Sequence, residues 1–273
     1  MNHRFQQYVE EGQRPLFIPF ITAGDPSPEA TVDLAVVLQE AGANAIELGI
    51  PYSDPLADGP VIQRASARAL KQGMSLKKAM ALVPEMRKRG VEIPIVIFTY
   101  YNLLLQLGKD QFFALARENG VDGLLVPDLP FEESDELREA ADSENLPLMT
   151  LIAPTTSPGR LEKIASHQQG FTYCVSSLGV TGERKGEFKQ EVYDFLANVK
   201  EHSPVPVAVG FGISSAEQVE RLKEYCDGVV VGSAIVREIE KHQDALVSPE
   251  RKAEALAQFK TFLLSLTGRS MTT

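Results

Sequence analysis

Apolar runs punctuate the whole chain, at residues 16–22, 45–48, 93–99, 123–126, 147–152, 171–175, 206–209 and 228–231. They are short, and mostly continuous rather than alternating. Strands covered on both faces have this pattern, as in a parallel sheet. The stretches between them carry helical period and helical punctuation. Ser27-Pro28 supplies a cap residue and a first-turn proline, Val32, Leu34, Ala35, Val37 and Leu38 mark one buried face, and Gly42 stops the helix. Ser75-Leu76 opens a second capped helix that ends at Lys88-Arg89-Gly90, and 110–120 and 132–145 read as two more. A further helix spans 214–224, with Ser214 as the candidate cap. Strand and helix alternate eight times, which predicts a parallel α/β fold. Eight units over this length fit a closed (β/α)8 TIM barrel, expected as a single domain over 1–273. An extra N-terminal helix near 2–10 would plug the barrel bottom, and 249–266 would form a terminal helix. Strand order is not encoded in the pattern, so an open doubly wound sheet is the alternative.

Composition changes this picture only at the margins. Of 273 residues, 44% are hydrophobic and 23% charged, which is ordinary for a globular chain able to bury a sizeable core. The formal net charge of −10 repels a phosphate backbone, so no nucleic-acid partner is expected. A phosphate-bearing substrate would meet the same field, and local backbone donors would have to overcome it. Cys174 and Cys226 sit in or beside apolar runs and are expected as buried free thiols in a reducing compartment. The N-terminus lacks the apolar core of a signal peptide, and no apolar run approaches the ~18 residues of a membrane span. A cytoplasmic protein is the expectation.

In a barrel, chemistry sits just past the C-terminal ends of the strands. After the second run comes Glu47-Leu48-Gly49-Ile50-Pro51-Tyr52-Ser53-Asp54-Pro55-Leu56-Ala57-Asp58-Gly59-Pro60. Glu47 interrupts an apolar strand. It is either paired with a nearby Arg or Lys or held at the mouth for chemistry. Asp54 and Asp58 taken singly are ordinary turn residues. A carboxylate on a strand and another on its stiff loop can instead form an acid–base pair with separated pKa values. After the sixth run, 176–186 is rich in glycine and polar residues, and reads as either a mobile lid or a long surface loop. After the seventh and eighth, Gly210-Phe211-Gly212-Ile213-Ser214 and Gly232-Ser233-Ala234-Ile235 run into helices. Glycine turns that present helix N-termini in the last two units are the frequent phosphate site of barrels. His3, His167, His202 and His242 are scattered and read as surface residues, so no metal site is expected.

These segments resemble the tryptophan synthase α-subunit family. Phe17-Ile18-Pro19-Phe20-Ile21-Thr22-Ala23-Gly24-Asp25-Pro26 is similar to its opening strand, and Glu47 through Pro60 to its signature. Tyr100 and Asn102, Pro127-Asp128-Leu129-Pro130, Gly179-Val180-Thr181-Gly182, Gly210-Phe211-Gly212-Ile213 and Gly232-Ser233-Ala234-Ile235-Val236 follow in family order. The resemblance covers about residues 15 to 240. It implies a lyase that splits indole-3-glycerol phosphate into indole and glyceraldehyde 3-phosphate by a retro-aldol reaction, in tryptophan biosynthesis. Glu47 would be the acid–base that protonates indole C3, and Asp58 would bind the indole N–H. Tyr100 and Tyr173 would lie at the substrate, with Phe20, Phe98, Leu125 and Leu151 walling the indole pocket. Gly182, Phe211, Gly212, Gly232 and Ser233 would hold the phosphate, and Thr181 would help close the lid over Asp58. Ser177 departs from members that carry Arg there, which bears on lid closure. The family implies no cofactor of its own and a β-subunit partner in an α2β2 assembly that carries pyridoxal phosphate. Asp54 would touch that partner, or serve only as a turn residue. Two other readings stay open on the residues alone. A sugar-phosphate epimerase or isomerase would share the last two glycine turns but not need the whole of 47–60. A catalytically weak activator of a β subunit would not need both Glu47 and Asp58.

Overall fold

A computed structural model describes residues 3–176, 188–210 and 212–269. Its strands are β1 (Leu16–Thr22), β2 (Ile46–Gly49), β3 (Ile95–Phe98), β4 (Gly123–Leu125), β5 (Leu148–Met149), β6 (Leu151–Ile152), β7 (Thr172–Val175), β8 (Val207–Gly210) and β9 (Gly228–Val231). All pair in parallel, in the order β5-β4-β3-β2-β1-β9-β8-β7-β6. The two ends of that order, β5 and β6, are halves of one run separated by Thr150, so the sheet closes on itself as a barrel. The open-sheet alternative is thereby excluded.

The expected unbroken strand over 147–152 is corrected by this break. The buried Gln168 amide takes both backbone groups of Thr150, accepting from its N–H at 3.2 Å and donating to its carbonyl at 2.9 Å. A side chain replaces the neighbouring strand at that residue.

The helices are α1 (His3–Phe5), α2 (Pro28–Glu40), α3 (Pro60–Lys71), α4 (Leu76–Met80), α5 (Leu82–Lys88), α6 (Tyr101–Leu107), α7 (Lys109–Asn119), α8 (Asp135–Ser143), α9 (Pro158–Ala165), α10 (Gln190–His202), α11 (Ala216–Leu222), α12 (Ser233–Leu246) and α13 (Lys252–Thr267). Helix α2 is capped as expected: the Ser27 hydroxyl accepts from the Ala30 N–H at 3.0 Å, and Pro28 occupies the first turn. The single helix expected from Ser75 to Arg89 is instead α4 and α5. Pro84 has no N–H to offer the Met80 carbonyl, and the chain breaks at Ala81. The stretch 132–145 divides at Ser134, whose hydroxyl donates to the Phe131 carbonyl at the end of a 3-10 turn. The cap of α11 is Ser215 rather than Ser214, because it is the Ser215 hydroxyl that accepts from the Gln218 N–H.

Side chains alternate across each strand. Leu16, Ile18, Phe20, Val96, Phe98, Leu125, Tyr173, Ala208 and Val230 belong to an inner cluster within the barrel. Phe17, Ile21, Ile46, Leu48, Ile97, Val209 and Val231 pack outward against the helices. The extra N-terminal helix is present, continuing from α1 as a wider π turn over Gln6–Glu10. Phe5 and Val9 join the inner cluster, and a Cβ on Gly123 or Gly170 would stand 3.1 or 3.0 Å from the Phe5 ring. The barrel axis is therefore stoppered at its bottom by this helix, beside which Glu10, Pro147, Gln168 and Val205 line a separate surface cavity.

Candidate active site

Along β2, Ile46 and Leu48 face the helices, so Glu47 faces the barrel axis. Its register partners are Phe20 on β1 and Val96 on β3, both of the inner cluster. A carboxyl group is thus set into an apolar row. It is 1% exposed, and its Oε1 has no hydrogen-bond partner. No described Lys or Arg pairs with it, which removes the ion-pair reading. Burial alone pushes its pKa up to about 8, so the group is protonated at neutral pH.

Asp58 arrives by a different route. The loop after β2 crosses the barrel mouth and ends where Gly59 caps α3 and Pro60 takes its first turn. Tyr100, just past β3, pins this loop: its hydroxyl accepts from the Ala57 N–H at 3.0 Å and donates to the Asp58 carboxylate. The Tyr52 ring lies 5.1 Å from the Tyr100 ring, and Asn102 donates to the Tyr52 hydroxyl at 3.2 Å. Asp58 is buried; desolvation raises its pKa to about 6, and the Tyr100 hydrogen bond opposes the rise. Between about 6 and about 8, one carboxylate is ionised while its neighbour keeps its proton.

Both acids line one cavity at the barrel mouth. Phe20, Ile62, Phe98, Tyr173 and Val230 form its apolar wall, with Phe20 and Phe98 edge to face at 5.4 Å. Gly212, Ile213, Gly232 and Ser233 form a backbone-lined end. Gly212 has φ +88°, a conformation that favours glycine. Ser233 opens the 14-residue helix α12, whose first-turn N–H groups have no intrahelical acceptor. Among the described residues no Lys or Arg lines this cavity. An anion here would rest on backbone N–H groups and the helix dipole.

Glu47, Asp58, Phe20, Tyr173, Gly212, Gly232 and Ser233 therefore converge as the sequence predicted. Tyr100 is buried behind Asp58 and acts on it, without lining the cavity; Leu125 is buried in the inner cluster beside Phe98. Leu151 is half-buried against the same cluster. Asp54 is exposed and receives the Ser53 hydroxyl, as a turn residue does. Of the lid expected over 176–186, only Ser176, which is buried, is described; Ser177, Thr181 and Gly182, with Phe211, lie outside the described residues. Ile62, Ile213 and Val230 also line the site and were not anticipated. Ile62 had a signal, being the first-turn apolar residue after Gly59-Pro60; Val230 had one in its alternation along β9. Cys174 and Cys226 are buried free thiols. Among the described residues no three His, Cys, Asp or Glu side chains gather as a metal site, and no helix is long and apolar enough to cross a membrane.

A closed parallel barrel with two buried carboxyl groups and a glycine-lined helix start converging at its strand C-termini has the architecture of a (β/α)8-barrel enzyme. Comparison with known proteins specifies it further. The family model of the tryptophan synthase alpha chain matches residues 5–263. The tryptophan synthase alpha chain of Geobacillus sp. (strain WCH70) is 62% identical over 254 residues, covering 93% of this chain and 96% of the relative. That of Bacillus subtilis (strain 168) is 59% identical over 253 residues, covering 93% and 94%. Among solved structures, a chain of the tryptophan synthase α2β2 complex from Pyrococcus furiosus superposes with TM-score 0.83 at 40% identity, over 95% of this chain and 99% of that one. A chain of Mycobacterium tuberculosis tryptophan synthase gives TM-score 0.80 at 34% identity, over 93% and 92%. The chain belongs to the tryptophan synthase alpha chain family, which decides against the sugar-phosphate epimerase alternative.

Proposed function

We propose that this chain is the α subunit of a tryptophan synthase and a carbon–carbon lyase, in which Glu47 and Asp58 cleave indole-3-glycerol phosphate. The observation that carries the assignment is the Glu47 carboxyl, buried with its Oε1 unpartnered, in the same cavity as the buried Asp58; burial raises both pKa values, to about 8 and about 6. The indole ring lies against the wall that Phe20 and Phe98 form together, and the phosphate sits at the Gly212–Ile213 turn and the start of α12.

Glu47 gives its proton to indole C3, and Asp58 accepts the indole N–H and stabilises the cationic ring so formed. The bond from C3 to the glycerol carbon then breaks. Its electron pair returns to the ring, neutralising it as indole. The hydroxyl on that carbon becomes the aldehyde of glyceraldehyde 3-phosphate, and its proton passes to the Glu47 carboxylate, which is thereby reset. Phosphate binding, away from the reacting bond, supplies orientation. The step needs no cofactor in this chain; pyridoxal phosphate belongs to a β-subunit partner. The Pyrococcus furiosus α2β2 complex supports the β-subunit partner, and Tyr52, Asp54 and the 80% exposed Leu56, on the loop at the mouth, are the contact surface proposed for it. The cytoplasm is the expected compartment.

The test is indole release from indole-3-glycerol phosphate by the purified chain, with and without a β subunit, beside Glu47→Gln. Weak release alone, a rise with the partner and loss in the variant are expected. No indole under either condition refutes the lyase assignment.

A further inference from the structure

Helix α3 is placed unlike most helices of the barrel. Beyond the N-terminal plug, only α3 and α12 among the described helices send buried side chains into the inner cluster, Ile62 and Ala65 from one and Val236 from the other. The first turn of α3 follows Asp58 directly, and the first turn of α12 carries Ser233. The two helices therefore hold the two ends of the substrate cavity. Their support differs, however. Helix α12 starts one residue after β9 and inherits its position from the barrel. Helix α3 follows the long loop over the mouth, so its placement needs another source.

Arg68 is that source by geometry. Its Nε and Nη2 donate to both oxygens of Asp25, at 2.7 and 2.9 Å, and its Nη1 donates to Glu240 on α12 at 2.6 Å. Asp25 belongs to the turn after β1 and is 2% exposed. All three nitrogens of one guanidinium are thus committed, to the barrel rim on one side and to α12 on the other. Arg64, one turn earlier, adds a two-pronged contact to Glu240 at 2.8 and 2.7 Å, but it is half exposed and reaches only that residue. Gln72 adds a bond from the end of α3 to the Pro26 carbonyl.

We propose that Arg68 is a positioning residue: by bridging Asp25 and Glu240 it holds α3 against α12 and the barrel rim, and so sets Asp58 relative to the phosphate donors of Ser233. The proposal rests on the roles given above to Asp58 and to the start of α12. Misplacement of a reacting group by about 1 Å costs on the order of 100-fold in rate. Because α12 stays anchored by β9 when Arg68 is removed, phosphate binding should survive while the placement of Asp58 does not. A lysine reaches one carboxylate but cannot form the two-pronged contact and the bridge together.

The experiment measures steady-state indole release by the full-length chain for Arg68→Ala, Arg68→Lys, Glu240→Gln and Arg64→Ala, beside Glu47→Gln, at a temperature where urea titration shows each variant folded. Arg68→Ala is expected to lose at least tenfold in kcat with KM changed less than threefold. Arg68→Lys should recover part of the loss, Glu240→Gln should fall in the same sense, and Arg64→Ala should stay within about threefold of the parent. If Arg68→Ala does not fold, Glu240→Gln carries the same test. A staple that only stabilises would lower the urea midpoint and leave kcat of the folded enzyme within twofold, and that result overturns the proposal. Glu47→Gln separates the two levels: if it remains active the reaction assignment falls, and if it is inactive while folded Arg68→Ala is fully active, only the positioning role falls.

Discussion

Replacing Glu47 by Gln should abolish the reaction and make the protein more stable, by an amount that depends on pH in a specified way. The folded chain holds the Glu47 proton up to about pH 8, against a usual carboxyl value of 4.5, because burial penalises the charged form. The folded state therefore binds the proton more tightly than the unfolded state. Stability is fully retained below about pH 4.5 and is lost progressively as pH rises towards 8. At pH 7 the unfolded chain has released a proton that the folded chain keeps. At ~1.36 kcal/mol per pH unit, this costs about 3 kcal/mol, rising to about 5 once pH exceeds 8. Glutamine has nearly the same shape and does not titrate, so the penalty disappears. Urea unfolding of parent and variant across pH 4.5 to 9 tests this: the curves should converge at the acid end and separate by about 3 kcal/mol at pH 7. Indole release should fall by ~100-fold or more, the usual contribution of a general acid. Parallel stability curves with a pH-independent gap would show that Glu47 titrates normally, and the acid assigned to the reaction would then be wrong.

Three further outcomes follow from the same geometry. The kcat/KM profile should be bell-shaped, rising as Asp58 ionises near pH 6 and falling as Glu47 ionises near pH 8, and Asp58→Asn should remove the rising limb along with most of the activity. Tyr100→Phe deletes the hydroxyl that lowers the Asp58 pKa and pins Ala57, so the rising limb should move to higher pH and kcat should drop about tenfold, with a limb that stays in place counting against the pinning role. Gly49→Ala would place a Cβ 2.2 Å from the Phe20 ring, so thermal unfolding should show a loss of about 1–3 kcal/mol and KM for the substrate should rise; an unchanged KM would mean that Phe20 does not wall the indole pocket.

The barrel was legible because its signal is local. Continuous apolar runs announce strands covered on both faces, and Ser27-Pro28 or Gly42 mark helix ends within a few residues. The break at Thr150 was not legible, since it depends on the Gln168 side chain arriving from a later turn. The choice between Ser214 and Ser215 as cap was too fine for pattern alone, because either hydroxyl suits a helix start. The halves of the proposed catalytic pair behaved differently. Glu47 stood out because a carboxylate interrupts an apolar strand, whereas Asp58 on its own was an ordinary turn residue. Tyr100 was marked by the family resemblance, but its grip on Ala57 and Asp58 spans more than forty residues of sequence and needed coordinates.

That distinction extends to the energetics of every buried acid. The described residues hold five of them: Asp25, Asp33, Glu47, Asp58 and Asp122. Asp25 takes both prongs of Arg68, Asp33 is met by Arg89 and Lys252, and Asp122 by Arg4 and Arg87 at the stoppered end of the barrel. Each of these three is neutralised by a cation supplied from another element, and each ties elements together. Glu47 and Asp58 have no cation, and only Asp58 has a hydrogen bond, from a neutral phenol. A buried acid without a cation is destabilising, and its pKa rises until the proton stays on at working pH. A cation beside Glu47 would relieve that cost and also strip the carboxyl of the proton that the reaction requires. Among the described residues, the buried acids that tie elements together are paired with cations, and the two without one are those proposed to share the proton that the reaction takes up and returns.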